Sequence, residues 1–207
     1  MKTRMDLIYK CISNSRYTPY LLAKKIGATA ILESASFAKG RERYSILMTE
    51  EAFKIKQDEE KISLLVDGKE IPFDMEKAME GEKSLDALGH EKTPDILDAL
   101  LYIAHQNVLP PGPLCELPLP ASGLGYLSYE FAKHCDNIRF YEQKDELNIP
   151  ESLFITGHIY IIFDHFTEEL HIFGLNYNEH QIDLGAAMER ILKRINDMDF
   201  SYVEEDN

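Results

Sequence analysis

Leu153-Phe154-Ile155-Thr156-Gly157-His158-Ile159-Tyr160-Ile161-Ile162-Phe163 is a long apolar and aromatic run, and the turn residues Asp164 to Glu169 separate it from Leu170-His171-Ile172-Phe173-Gly174-Leu175. Two runs rich in β-branched and aromatic residues across a polar turn predict a β-hairpin. The unbroken apolar stretch Ile159–Phe163 predicts a central strand buried on both faces, because a strand with one wet face would alternate.

Moving toward the amino terminus, Asp67-Gly68 sits between Ile62-Ser63-Leu64-Leu65-Val66 and Lys69-Glu70-Ile71, a two-residue hairpin signal. Ala28 to Ser34 and Tyr44 to Thr49 also read as strands, and Phe53 to Lys56 reads as a half-buried one by its alternation. The first third is therefore expected to be an antiparallel meander. Thr18-Pro19 and Thr93-Pro94 each look like a helix start, with Gly27 ending the first helix. Ile96, Leu97, Leu100, Leu101, Ala104 and Val108 form one predicted buried stripe, and Leu184, Met188, Ile191, Ile195 and Met198 another. Helices are expected near residues 19–26, 94–107 and 181–198, on the outside of one or two packed sheets. The charged stretch Asp74–Lys92 reads as an exposed connection with one helical turn, and the five prolines of Leu109–Pro120 exclude helix interior and central strand. The fold class is α+β, mainly antiparallel.

Length and composition agree. A chain of 207 residues with 44% hydrophobic and 28% charged residues suits an ordinary folded protein. A formal charge of −14 with no gathered basic patch argues against nucleic acid as a partner. No run approaches the ~20 apolar residues of a membrane span, and the start is too short and polar for a signal peptide. Cys11, Cys115 and Cys135 are odd in number and far apart, which suits free thiols in the cytoplasm.

The residues alone name no reaction. Gly123-x-Gly125 lacks the third glycine of a phosphate loop, and its strand context favours close backbone packing. His134, His158, His165, His171 and His180 show no zincin spacing, and His165 beside Asp164 reads as a polar turn residue. No Gly-x-Ser-x-Gly elbow is present. The suggestive segment is Ile31-Leu32-Glu33-Ser34 with Arg43-Tyr44-Ser45, which brings a carboxylate, a hydroxyl and a guanidinium to the ends of neighbouring strands. Glu33 would meet an ammonium and Arg43 a carboxylate of a zwitterion; the bland alternative is a Glu33–Arg43 ion pair at the strand ends.

Ile31-Leu32-Glu33-Ser34 resembles the Leu-Leu-Glu-Ser element of the large subunit of anthranilate synthase, component I, and Arg43-Tyr44-Ser45-Ile46-Leu47 resembles the Arg-Tyr-Ser-Phe-Leu element after it. Tyr17-Thr18-Pro19 is similar to the lead into the family's first helix. Gly123–Glu130 resembles its Gly-Gly-x-x-Gly-Tyr-x-x-Tyr-Asp block, and Pro150-Glu151-Ser152-Leu153-Phe154 and Ile162-Phe163-Asp164-His165 its Pro-Asp-x-x-Phe and Phe-Asp-His pair. The blocks keep the family's order over residues 17–175.

The resemblance implies that residues 1–200 are the amino-terminal regulatory domain and that 201–207 begin a linker to a chorismate-binding catalytic domain that lies outside this sequence. It implies no cofactor in this chain, Mg2+ in that catalytic domain, and a glutamine amidotransferase subunit as the ammonia-supplying partner. The whole enzyme would make anthranilate from chorismate; the chain alone would be inactive. Glu33, Ser34 and Arg43 would line the site for the feedback inhibitor L-tryptophan, with Lys39 and Arg41 as alternatives to Arg43. No catalytic, substrate-binding or metal residue is implied here. Aminodeoxychorismate synthase component I shares most blocks, but its members more often carry Asp-Ser where Glu33-Ser34 stands. A free-standing ligand-binding or interaction module is the reading from another class. The apolar surplus at Ile159–Phe163 is expected to be surface left bare for the second domain, which would make the chain self-associate.

Overall fold

The computed structural model describes residues 7–14, 16–33, 43–81, 83–85, 89–107, 109, 111–135, 138 and 149–197. Eight strands make a single antiparallel sheet: β1 (Leu7–Ser13), β2 (Ala30–Leu32), β3 (Tyr44–Asp58), β4 (Lys61–Val66), β5 (Lys69–Pro72), β6 (Leu124–Leu127), β7 (Ser152–Asp164) and β8 (Glu169–Leu175). The main path runs β1-β8-β7-β3-β4-β5, with β2 added to β3 and β6 to β7. The helices are α1 (Pro19–Ile26), α2 (Met75–Met79), α3 (Ile96–Gln106), α4 (Ala132–Cys135) and α5 (Leu184–Asn196). The α+β class and the antiparallel pairing are as the sequence predicts, and of the one or two sheets expected the strands form one.

The two long strands β3 and β7 carry everything else. Tyr44 to Asp58 is one strand where the sequence suggests two, interrupted only by a bulge between Glu51 and Phe53. Glu50 takes φ 55° there, and the extra residue bends the ladder. Before the bulge β3 pairs with β2, and after it with β4. The sheet thus has two wings.

In the first wing Leu47, Ile159, Ile161, Phe163, Leu170 and Ile172 pack under Leu22 and Ile26 of α1 and Ala187, Met188, Ile191 and Ile195 of α5. On the reverse face Ile46, Met48, Tyr160, Ile162, Phe173 and Leu175 join Phe53, Ile55, Ile62 and Leu64 beneath Ile96, Ala99, Leu100 and Ile103 of α3. Each such side chain contributes roughly 1.5–3 kcal/mol when fully buried. Ile159–Phe163 is accordingly central and covered on both sides, so it is not a bare surface, and the expected self-association has no patch there.

Local chemistry sets the boundaries. Thr18 caps α1 through Leu21 N, and Gly27 ends it in the left-handed region at φ 69°. The turn Asp67-Gly68 has φ 50° and 75°, as a two-residue hairpin requires. The start of α3 lies later than Thr93-Pro94 suggests: Asp95 is the N-cap and forms a capping box with Asp98. The buried face of α3 is also rotated from the predicted stripe, using Ile96, Ala99, Leu100 and Ile103 while Leu97 and Leu101 are exposed. Val108 and Met198 lie outside the described residues. Asp74–Lys92 is less open than expected, since Ala78 and Ser84 are buried. Strand β6 leads through a 3-10 turn, Tyr129–Phe131, into α4.

Strand β1 escapes the sequence reading. Tyr9, Lys10, Ser13 and Asn14 break its apolar pattern, and an edge strand with one free side tolerates that. On the open face of the β3-β4-β5 wing, hydrogen bonds from Lys56, Ser63 and Lys61 hold the Glu70 carboxyl down to about 2.

Candidate functional site

The Arg43 block and the Phe163-Asp164-His165 block, far apart in sequence, meet at one corner of the sheet. Tyr44 stands opposite Asp164 and Ser45 opposite Phe163 in the β3–β7 ladder. Arg43 Nε donates to Asp164 Oδ1 at 3.2 Å and Oδ2 at 3.0 Å, and Nη2 donates to Oδ2 at 2.7 Å. Asp164 is 2% exposed in its side chain and Arg43 43%. Burial alone would push the Asp164 carboxyl up, but the hydrogen bonds from Arg43 and from the amides of Phe166 and Thr167 outweigh it and hold the group below its usual value. The same bond to Asp164 raises Arg43, with a smaller contribution from the charge of Glu116.

Arg43 is positioned further by aromatic rings. Its guanidinium lies 4.9 Å from the Tyr44 ring centroid and 5.8 Å from that of Phe166. One edge of the fork grips Asp164; the side chain stays 43% exposed, and a guanidinium carries donors beyond those used here. His165 is more than a turn residue: its Nε2 and the buried Ser45 Oγ hydrogen-bond at 2.9 Å, and its ring stacks on Phe163.

Glu33 is exposed, one residue beyond the Leu32↔Ile46 pair that ends β2. The alternative reading, a Glu33–Arg43 ion pair, is not the pair Arg43 makes; its carboxylate partner is Asp164. Leu32, 49% exposed, adds apolar surface beside Glu33. Ser34, Lys39 and Arg41 lie outside the described residues. The proline-rich segment overlies the α3 face of the sheet through Leu114, Leu117 and Leu119, and its 3-10 turn Pro113–Glu116 carries Glu116. Glu33, just past the end of β2, and Arg43, just before β3, thus lie at the same end of the β2–β3 ladder, with the exposed Leu32 next to Glu33. Asp164 is the residue that sequence reasoning did not connect to Arg43; the Phe-Asp-His block held the signal, but only strand pairing shows its partner.

At the far end of β7, β6 pairs with Leu153 and Phe154, and both glycines of the Gly123-x-Gly125 element lie against backbone. This is packing, as the strand reading expects. Glu151 is pushed up by burial and more strongly down by hydrogen bonds from Lys133 and His134, so it lies below its ordinary value.

Anthranilate synthase component 1 of Spirochaeta aurantia is 40% identical over 198 residues, which is 95% of this chain and 37% of that protein. The chain is a relative of the amino-terminal part of anthranilate synthase component I. Its 207 residues span little more than a third of the length of this component I relative. The crystal structure of anthranilate synthase component I from Streptococcus pneumoniae TIGR4 matches over 92% of this chain and 39% of its own, with 20% identity and a TM-score of 0.47. No protein-family model matches. No helix among the described residues is long and apolar enough to cross a membrane.

Proposed function

We propose that this chain is the regulatory unit of a cytoplasmic anthranilate synthase component I and forms one wall of an L-tryptophan site, with Glu33 receiving the ammonium and Ser34 and Arg43 the carboxylate. The observation that carries this reading is 40% identity to anthranilate synthase component 1 along 95% of the chain. An exposed Glu33 and a guanidinium oriented by Asp164, at the same end of the β2–β3 ladder, supply the matching chemistry. Chorismate turnover and Mg2+ belong, in this proposal, to a larger catalytic unit that closes the other wall, and ammonia comes from a glutamine amidotransferase subunit. Tryptophan bridging the two units shifts them toward the inhibited arrangement by its differential affinity.

The test is anthranilate formation by component I containing this unit, followed against tryptophan concentration. A charge-assisted hydrogen bond is worth about 1.5–3 kcal/mol, so Glu33→Ala raises the half-inhibitory concentration at least about tenfold. An unchanged inhibition curve would sink the assignment. The 207-residue chain alone should neither consume chorismate nor bind tryptophan tightly.

A further inference from the structure

We infer that Cys11, Glu169 and His171 form a binding site for one zinc-class transition-metal ion on the β1–β8 edge of the sheet, with Tyr9 as its supporting residue.

Sequence spacing hides this trio, since Cys11 lies near the start of the chain and the other two near its end. The antiparallel register sets Cys11 directly opposite His171, and Glu169 points to the same face two residues earlier. Among the described residues this is the one group of three or more ligating side chains whose donor atoms all lie within 4.8 Å of one another. His171 Nε2 and Glu169 Oε2 are 3.8 Å apart. Tetrahedral zinc with bonds of ~2.0–2.3 Å places its ligand atoms about 3.5 Å from each other. The His–Glu spacing is already near that value, and an exposed Cys11 closes the remaining gap by a small side-chain rotation.

The imidazole is prepared for the role. His171 is nearly buried, its ring stacks on Tyr9 at 6.1 Å and 15°, and its Nδ1 is 2.9 Å from the Tyr9 hydroxyl. With Nδ1–H donating to that oxygen, Nε2 turns its lone pair toward Glu169 and Cys11, the arrangement in which a histidine ligates a metal. A thiolate, an imidazole and a carboxylate suit zinc or cobalt and not the all-oxygen preference of magnesium or calcium. Binding forms a metal–sulfur bond and releases the Cys11 thiol proton to solvent. A fourth position stays open to water or to a ligand from outside the chain. None of these residues is shared with the Arg43–Asp164 corner, so the outcome does not depend on the tryptophan reading.

The test uses the reduced full chain, titrated with Zn2+ against a chromophoric chelator and with Co2+ followed by absorption. One zinc per chain and a sulfur-to-cobalt charge-transfer band are expected. Cys11→Ser abolishes the band and, like His171→Gln, weakens zinc binding at least about tenfold, and Tyr9→Phe weakens it about tenfold through loss of orientation. Cys115→Ser and Cys135→Ser leave both readouts unchanged. Because Cys11 is exposed, its serine variant keeps the fold, which circular dichroism checks. Absence of uptake by the folded chain, or uptake insensitive to Cys11→Ser, overturns the site.

Discussion

Asp164, buried at the end of β7, is held by Arg43, the residue just before β3, through a guanidinium contact at 2.7 Å. The same carboxylate receives the amides of Phe166 and Thr167 at 3.0 and 3.4 Å, so one side chain both shapes the β7–β8 turn and aims Arg43. Stability of the hairpin and geometry of the proposed effector site are thereby joined in a single group.

Asp164→Ala should therefore cost about 2 kcal/mol, because it removes the acceptor of the Arg43 guanidinium and of two turn amides at once. Urea denaturation gives the value. Since folding lowers the Asp164 pKa, its contribution is complete above the ordinary carboxylate value near 3.8 and disappears as pH falls through the lower folded value. The difference in stability between wild type and Asp164→Ala should thus be constant near neutrality and shrink below about pH 4. A difference that grows on acidification would contradict the assignment of the paired carboxylate.

Gly125 is set against β7 so closely that a Cβ would sit 2.6 Å from Phe154 Cα and 2.7 Å from its ring Cγ. Two of the three nearest atoms, Leu153 O and Phe154 Cα, are backbone, which cannot rotate away as a flexible side chain could. Gly125→Ala should destabilise the chain by about 3 kcal/mol or detach β6, seen as lost amide protection at Leu124–Leu127. Gly68 has open space around it, so its alanine variant should suffer only the strain of φ 75° at the hairpin tip. Equal costs at the two positions would show that close packing is not what Gly125 serves.

The hairpins, the central strand and the start of α1 were legible because each rests on local chemistry: Asp67-Gly68 accepts positive φ, Ile159–Phe163 has no polar face, and Thr18 precedes a proline. What was not legible depends on partners distant in the chain. The buried face of α3 cannot be read from Leu97 and Leu101, since helical spacing fits both the observed face and a rotated one. Strand β1 exists because β8 offers it an edge. At the candidate site Glu33 and Arg43 were visible as charges near strand ends, but the choice of Asp164 over Glu33 as the partner of Arg43 is made by the β3–β7 register.

Gln57 illustrates the same dependence. Its buried Oε1 accepts the amide of Ile96 at 2.8 Å, while its Nε2 donates to Glu59 O at 2.7 Å. A strand side chain thus satisfies one of the unpaired amides at the start of α3 and docks the helix on the sheet. Gln57→Leu keeps the volume but strands that amide, and should cost about 1–3 kcal/mol in urea denaturation with early loss of protection in α3. A loss below a few tenths of a kcal/mol would mean that water replaces the cap.

His158 predicts a pH dependence near neutrality. It is buried in β7, its Nδ1 lies 2.7 Å from Leu175 O, and its Nε2 lies 2.8 Å from His180 Nδ1. A carbonyl only accepts, so Nδ1 carries the hydrogen and the neutral ring accepts at Nε2 from His180. Burial lowers the His158 pKa, the Leu175 carbonyl opposes this, the neighbouring His180 reinforces it, and the charge of Glu50 opposes it weakly. Asp67 completes the surroundings at 3.8 Å from His180 Nε2. Because folding disfavours protonation, the unfolded chain binds the extra proton first as pH falls below about 6.5. Stability at about pH 5 should then be lower than at about pH 7.5, and His158→Gln, although less stable overall, should lose part of that slope. Urea midpoints for both proteins at the two pH values measure it; parallel slopes would place the titration on another histidine.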